Sequence, residues 1–159
     1  MDRQQPLSSK QTMGIGALFA AVGLYFILLG LGILPVPGGP KALHAPFWIV
    51  VCAGLIFFLG GAAVFVPATV GEPSANGEMP ANAPRWMHFT QYLFGLAIFL
   101  CFALIATWIA IGSGPSAFTG TVPVGEMAGR IAFGIGALIV WLATIAIAIS
   151  GARKLLGRG

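Results

Sequence analysis

Charged residues are scarce in this sequence. Of its 159 residues, 8% are Asp, Glu, Lys or Arg, whereas 58% are hydrophobic. A soluble domain carries about 25% charged residues, which cover its surface. The shortage excludes an ordinary water-soluble domain. The net charge of +4 does not indicate a nucleic-acid partner, because the eight Lys and Arg residues are scattered over the ends of apolar segments.

Residues that carry chemistry are equally few. Cys52 and Cys101 each lie inside a long apolar run, with no CxxC pair or Cys/His cluster, so we interpret them as small core residues. His44 and His88 have no ligand partners near them in sequence, and no phosphate-binding loop or Ser/His/Asp set is present. The sequence therefore predicts no enzyme, no cofactor and no metal site.

What the sequence does contain is four long apolar segments, at about 13–34, 47–66, 89–111 and 129–150. About 20 apolar residues are enough for a helix to cross the ~30 Å hydrocarbon layer. In lipid the backbone must satisfy its own hydrogen bonds, so these segments are expected to be helices. Proline and glycine separate them, and we expect Pro67 to end the second and Gly151 the fourth. The predicted fold class is an all-α integral membrane protein, a four-transmembrane-helix bundle.

The same pattern gives the domain organisation. A tail at 1–12 precedes the transmembrane domain at 13–151, a polar loop at 68–86 divides that domain, and a basic tail follows at 152–159. Each half is a helix, a loop rich in Gly and Pro, and a second helix. This plan is consistent with two parallel hairpin repeats.

Basic residues predict the orientation. The side with the two termini and the central loop carries six of them, against two, Lys41 and Arg130, on the other side. The positive-inside rule therefore predicts that both termini are cytoplasmic. The small size and the absence of organelle targeting signals favour a bacterial inner membrane. The six residues are Arg3, Lys10, Arg85, Arg153, Lys154 and Arg158.

Small residues recur every seven positions in three of the helices. Small side chains let membrane helices approach closely, and a spacing of seven keeps them on one face. We therefore predict helix packing along these stripes, and that replacing Gly23 or Gly136 with Leu disrupts it. The predicted packing residues are Gly16, Gly23, Gly30, Gly54, Gly61, Gly129, Gly136 and Ala143.

No Asp, Glu, Lys, Arg or His lies in the interior of any apolar segment, although such residues mark ion and proton paths. Thr107 and Thr144 are expected to bond a carbonyl one turn earlier. Trp141, near mid-membrane, either contacts a pore or ligand or packs between helices. Glu126 and Arg130, four residues apart at the outer side, form either an external binding or gating pair or a pair that caps the helix mouth.

In helix number and size alone, the chain is similar to the small membrane subunit of tripartite tricarboxylate transporters, a resemblance of topology. It implies an accessory role in a transporter. Our leading hypothesis is a small accessory or structural subunit of a larger membrane complex. The alternative is a homo-oligomeric channel or transporter for a neutral or hydrophobic solute. The expected partners are the lipid bilayer and either another membrane protein or further copies of this chain.

Overall fold

The computed structural model describes residues 8–39, 45–70, 84–112 and 123–156, and in these it contains four α-helices and no strand. All four helices are long and apolar enough to cross a membrane, which confirms the predicted fold class of an all-α membrane protein. The shortest has 22 residues, or about 33 Å. The helices are α1 (Ser9–Gly30), α2 (Phe47–Val70), α3 (Arg85–Ile111) and α4 (Pro123–Leu156).

Helix α1 begins and ends four residues earlier than the predicted 13–34. Ser8 is its N-cap, accepts a hydrogen bond from the Gln11 amide and forms a capping box with the Gln11 side chain. At the other end, Gly32 adopts a φ of 72°. The Gly32 amide donates to the Leu29 carbonyl and the Ile33 amide to the Leu28 carbonyl, the Schellman arrangement that ends a helix. The glycine, and not the later prolines, therefore ends α1.

Helix α2 continues through Pro67 to Val70, so the prediction that Pro67 ends it was wrong. A proline inside a helix leaves the carbonyl four residues earlier without its usual donor. Membrane helices tolerate such a proline. Two hydroxyls bond other carbonyls near this end of the helix: Thr69 donates to the Val66 carbonyl at 2.7 Å, and Ser9 of α1 donates to the Ala68 carbonyl at 2.9 Å.

Helices α3 and α4 are longer than their apolar segments. Helix α3 begins directly after Pro84, and α4 begins with Pro123, whose missing amide hydrogen costs little in a first turn. Helix α4 also continues past Gly151, so the prediction that this glycine ends the helix was wrong. Gly151 instead lies against the Tyr92 ring of α3, where a side chain would not fit. The described parts of the predicted loop 68–86 and tail 152–159 are therefore mostly helical.

The helices pack side by side in chain order. Helix α1 packs most extensively on α2, α3 packs on α4, and α2 joins the two hairpins by packing on α3. Within the described residues, α1 and α4 have no Cα atoms within 8 Å of each other. The four helices therefore form an open row, in which α1 and α4 are the two edges and each has one neighbour.

Candidate functional surfaces

At the seam between α1 and α2, the backbones of the two helices are in direct contact. A Cβ atom placed on Gly16 would lie 2.9 Å from the Gly61 carbonyl oxygen, and one placed on Gly23 would lie 2.6 Å from the Gly54 carbonyl oxygen. Real Cβ atoms essentially never come closer than 3.0 Å to such atoms. Four of the predicted packing glycines therefore meet in antiparallel pairs, at a separation that only glycine permits.

The same seam reaches the C-terminal end of α1. A Cβ atom on Gly30 would lie 2.7 Å from Val51 Cγ2 and 2.9 Å from the Val51 amide nitrogen of α2. Close backbone approach of this kind allows weak Cα–H···O contacts and dense van der Waals packing, which drive helix association where no hydrophobic effect operates. The first hairpin is therefore sealed along nearly its whole length.

Helix α4 meets α3 along a different line from the predicted stripe. Its buried line is Ala137, Thr144 and Gly151, again seven residues apart but one position further along the chain. At Gly136 an added Cβ would have nothing within 4 Å. Gly129 and Ala143 are half-buried. A rotation of one residue, about 100°, thus turns Gly136 away from α3.

Side-chain hydrogen bonds fix the rotation of α4 on α3. The Tyr92 hydroxyl donates to the Ile147 carbonyl at 2.9 Å, with the Ala148 carbonyl 3.3 Å away. The Trp141 indole Nε1 donates to Thr107 Oγ1 at 3.1 Å. The Trp141 polar atom is therefore satisfied inside the hairpin, in agreement with the packing interpretation of this residue.

The hydroxyls of Thr107, which is half-buried, and Thr144, which is buried, behave as the sequence predicted. Thr107 Oγ1 donates to the Ala103 carbonyl and Thr144 Oγ1 donates to the Val140 carbonyl, each at 2.7 Å and each one turn earlier. Thr107 acts as donor to Ala103 and as acceptor from Trp141, so its hydroxyl links two helices. No buried side-chain nitrogen or oxygen in the described residues lacks a partner.

The junction between the hairpins, where α2 packs on α3, holds two pairs of residues. Where α2 begins and α3 ends, the Trp48 and Trp108 rings meet edge to face, with centroids 6.4 Å apart. Further into the span, the Cys52 and Cys101 thiols are neighbours. Cys101 is buried and Cys52 is half-buried, and both are free thiols. From the sequence, each of these cysteines was interpreted only as a small core residue, since they lie on different helices far apart in the chain.

One pattern in the sequence is consistent with the contact between Cys52 and Cys101. Cys52 follows Trp48 by one helical turn, and Cys101 precedes Trp108 by two turns, so each cysteine shares a helix face with a tryptophan. If the two tryptophans meet, the two cysteines are brought to similar depth on facing sides. The pairing could not be inferred without knowing that α2 and α3 are neighbours.

Ionisable side chains described by the structure lie toward helix ends. Lys10, Arg85 and Arg153 are exposed at the end of the row where α1 and α3 begin, and Arg130 is half-buried toward the other end. The Glu126 side chain lies outside the described residues, as do Lys41 and His44, so its pairing with Arg130 stays a prediction. Among the described residues, no group of three or more His, Cys, Asp or Glu side chains could hold a metal ion.

Large apolar side chains cover the outward faces of the row. On the first hairpin, Phe57 of α2 stacks between Phe19 and Phe26 of α1, with ring centroids 6.0 and 6.5 Å apart. On α4 the outward side chains are at least 48% exposed, which marks a surface for lipid or for another protein. They are Ile131, Ile135, Leu138, Ile139, Leu142, Ile145 and Ile149.

Comparison with protein families, with curated proteins and with solved structures found no match for this chain.

Proposed function

We propose that this protein is a small accessory or structural subunit of a larger membrane complex. The observation that carries the proposal is the outward face of α4, an edge helix with one neighbour among the described helices. That face combines exposed Ile and Leu side chains with Gly136, which has open space above it. A glycine between larger residues leaves a groove, and a transmembrane helix of a partner protein is the occupant that we propose for it.

The absence of machinery inside the described spans supports a non-catalytic role. Enzymes and ion pumps place acids, bases or metal ligands beside their substrate path. In the described residues, the polar side chains that link α3 and α4 hydrogen-bond within the hairpin, and they are Tyr, Thr and Trp side chains. We therefore propose that the chain positions or stabilises a partner that performs the chemistry.

We further propose that the protein lies in a bacterial inner membrane with both termini cytoplasmic. The exposed basic residues Lys10, Arg85 and Arg153 belong to one end of the row, as the positive-inside rule requires of a cytoplasmic end. An Arg158→Cys variant with the native cysteines changed to Ser tests this. A membrane-impermeant thiol reagent should label it in inverted vesicles and not in intact cells. Labelling in intact cells would mean that the C-terminus lies outside the cell, and it would contradict the proposed orientation.

Affinity purification in a mild detergent, followed by mass spectrometry of intact complexes, tests the subunit role. The expected result is a second membrane protein at a fixed stoichiometry. A stable monomer would contradict the proposal. A homo-oligomer without other proteins would also contradict it and would favour a channel or transporter for a neutral solute, for which solute flux into liposomes is then the direct assay.

A further inference from the structure

The first turn of α3 concentrates positive charge at the end of the row. The helix begins at Arg85, whose side chain is exposed, and its first turn contains no acidic residue. In sequence, no Asp or Glu lies within six positions of Arg85 on either side. A helix N-terminus carries a partial positive charge, so an arginine there is unfavourable unless an anion offsets both charges. The arginine therefore leaves this helix end suited to a negatively charged group.

Exposed apolar side chains continue from Arg85 into the span. Trp86 is 61% exposed, Phe89 is 45% exposed and Leu93 is 43% exposed. Residues three or four apart are neighbours on a helix surface, so Phe89 lies beside both Arg85 and Trp86, and Leu93 follows Phe89 by one turn. This face of α3 is therefore basic at the helix end and apolar further into the membrane.

An anionic phospholipid has the same order of charged and apolar parts. Arginine binds phosphate groups through two parallel hydrogen bonds, and tryptophan favours the level of the headgroups. Below them, Phe89 and Leu93 would contact the acyl chains. A free phosphate ion would use Arg85 but would gain nothing from the apolar residues. A zwitterionic lipid would bring its own positive group toward the arginine, so the face favours a lipid with net negative charge.

We propose that this face of α3, formed by Arg85, Trp86, Phe89 and Leu93, binds an anionic phospholipid, with phosphatidylglycerol as the model ligand. Such a site is more than the general attraction of anionic lipid to a basic protein end, to which every exposed Lys and Arg contributes. Lys10 of α1 provides the comparison, because among the described residues α1 and α3 have no Cα atoms within 8 Å of each other. The inference does not depend on the proposed subunit role.

The test counts lipid molecules bound to the purified protein in a neutral detergent, by mass spectrometry of intact complexes. Phosphatidylglycerol and phosphatidylcholine with identical acyl chains are compared. The wild type should bind one phosphatidylglycerol roughly fivefold more tightly than phosphatidylcholine, and inorganic phosphate at the same concentration should not displace it. Equal binding of the two lipids would overturn the proposal. Displacement by phosphate would also overturn it, since a free anion would then be the ligand.

A matched pair of variants separates a site on α3 from general attraction to a basic surface. Arg85→Gln and Lys10→Gln each remove one exposed positive charge from the first turn of a helix at the same end of the row. Arg85→Gln should weaken phosphatidylglycerol binding by roughly fivefold, the usual effect of one basic residue near anionic headgroups. Lys10→Gln should leave that binding almost unchanged, and circular dichroism should show the same helix content in both. Equal losses in the two variants would overturn the proposal.

Discussion

The two hairpins use the same spacing of small residues in different ways. In α1 and α2, glycines seven residues apart meet glycines on the facing helix, so that Gly16 lies against Gly61 and Gly23 against Gly54. In α4 the glycine at Gly136 has the same spacing and meets nothing. A stripe of small residues therefore produces close contact where the neighbouring helix has a small residue directly opposite.

Helix α3 offers no such partner. Its contacts with α4 are made by side chains, through the Tyr92 and Trp141 hydrogen bonds and the packing of the Tyr92 ring on Gly151. Where Gly134 approaches Ala110, an added Cβ would lie at 3.8 Å, which is ordinary contact. The second hairpin is therefore held by specific polar links, and open space remains where a Cβ atom on Gly136 would lie.

The largest expected effect on stability is in the first hairpin, at Gly23. Gly23→Leu places a side chain against the Phe58 and Gly54 backbone, which cannot move aside as a flexible side chain could. We expect a loss of about 3 kcal/mol in the free energy of unfolding, measured by denaturation in mixed micelles. Gly60→Leu is the control, because nothing lies within 4 Å of an added Cβ there. If both variants unfold alike, the seam does not depend on glycine.

A smaller effect is expected at the corresponding glycine of the second hairpin. Gly151→Ala should destabilise the protein by about 1–2 kcal/mol, because the new methyl group would displace the Tyr92 ring. In a Tyr92→Ala background, the same substitution should cost almost nothing, since the obstructing ring is gone. A double-mutant cycle measures this coupling. Additive effects of the two substitutions would show that the ring and the glycine do not interact.

The Trp141 hydrogen bond should contribute less to the free energy of unfolding than the packing of Gly151 on Tyr92. Trp141→Phe keeps an aromatic ring but removes the donor to Thr107, and interhelical hydrogen bonds in membranes average about 0.6 kcal/mol. Thr107→Val removes the acceptor of the same bond. Once one of the two substitutions is present, adding the second should therefore change the free energy of unfolding little further. A loss for the double variant equal to the sum of the single losses would contradict the direct link.

The smallest effect on stability is expected at Gly136. Gly136→Leu should change the free energy of unfolding of the isolated chain by no more than about 0.5 kcal/mol, because the added side chain enters open space. This outcome would run against the expectation from the sequence that Gly136 and Gly23 respond alike. A loss as large as that of Gly23→Leu would mean that α4 packs against the chain along the predicted stripe after all.

The fold class could be predicted because four apolar segments of membrane-spanning length leave few alternatives. Helix ends were less predictable, because the roles of Gly32, Pro67 and Gly151 depend on the backbone conformation and the neighbours of each residue. Gly32 ends α1 by its positive φ, while Gly151 accommodates a ring inside a continuing helix. Sequence patterns identify such residues as unusual but do not reveal which of these roles each one has.

The surfaces were less predictable than the fold for a related reason. The rotation of α4 depends on hydrogen bonds to residues of α3 far away in the chain, and seven-residue spacing does not contain that information. The neighbouring thiols of Cys52 and Cys101 depend on the order of helices in the row, with α2 beside α3. Composition did indicate the lack of charged groups in the spans, which is one support for the proposed function.

Mass spectrometry of intact complexes from native membranes, comparing the wild type with Gly136→Leu and Gly60→Leu, tests the central claim most directly. The account predicts that the wild type and Gly60→Leu retain a second membrane protein at fixed stoichiometry, and that Gly136→Leu is folded but alone. Partner-free wild-type protein, or identical complexes for all three, would contradict the claim that the outward face of α4 binds a partner.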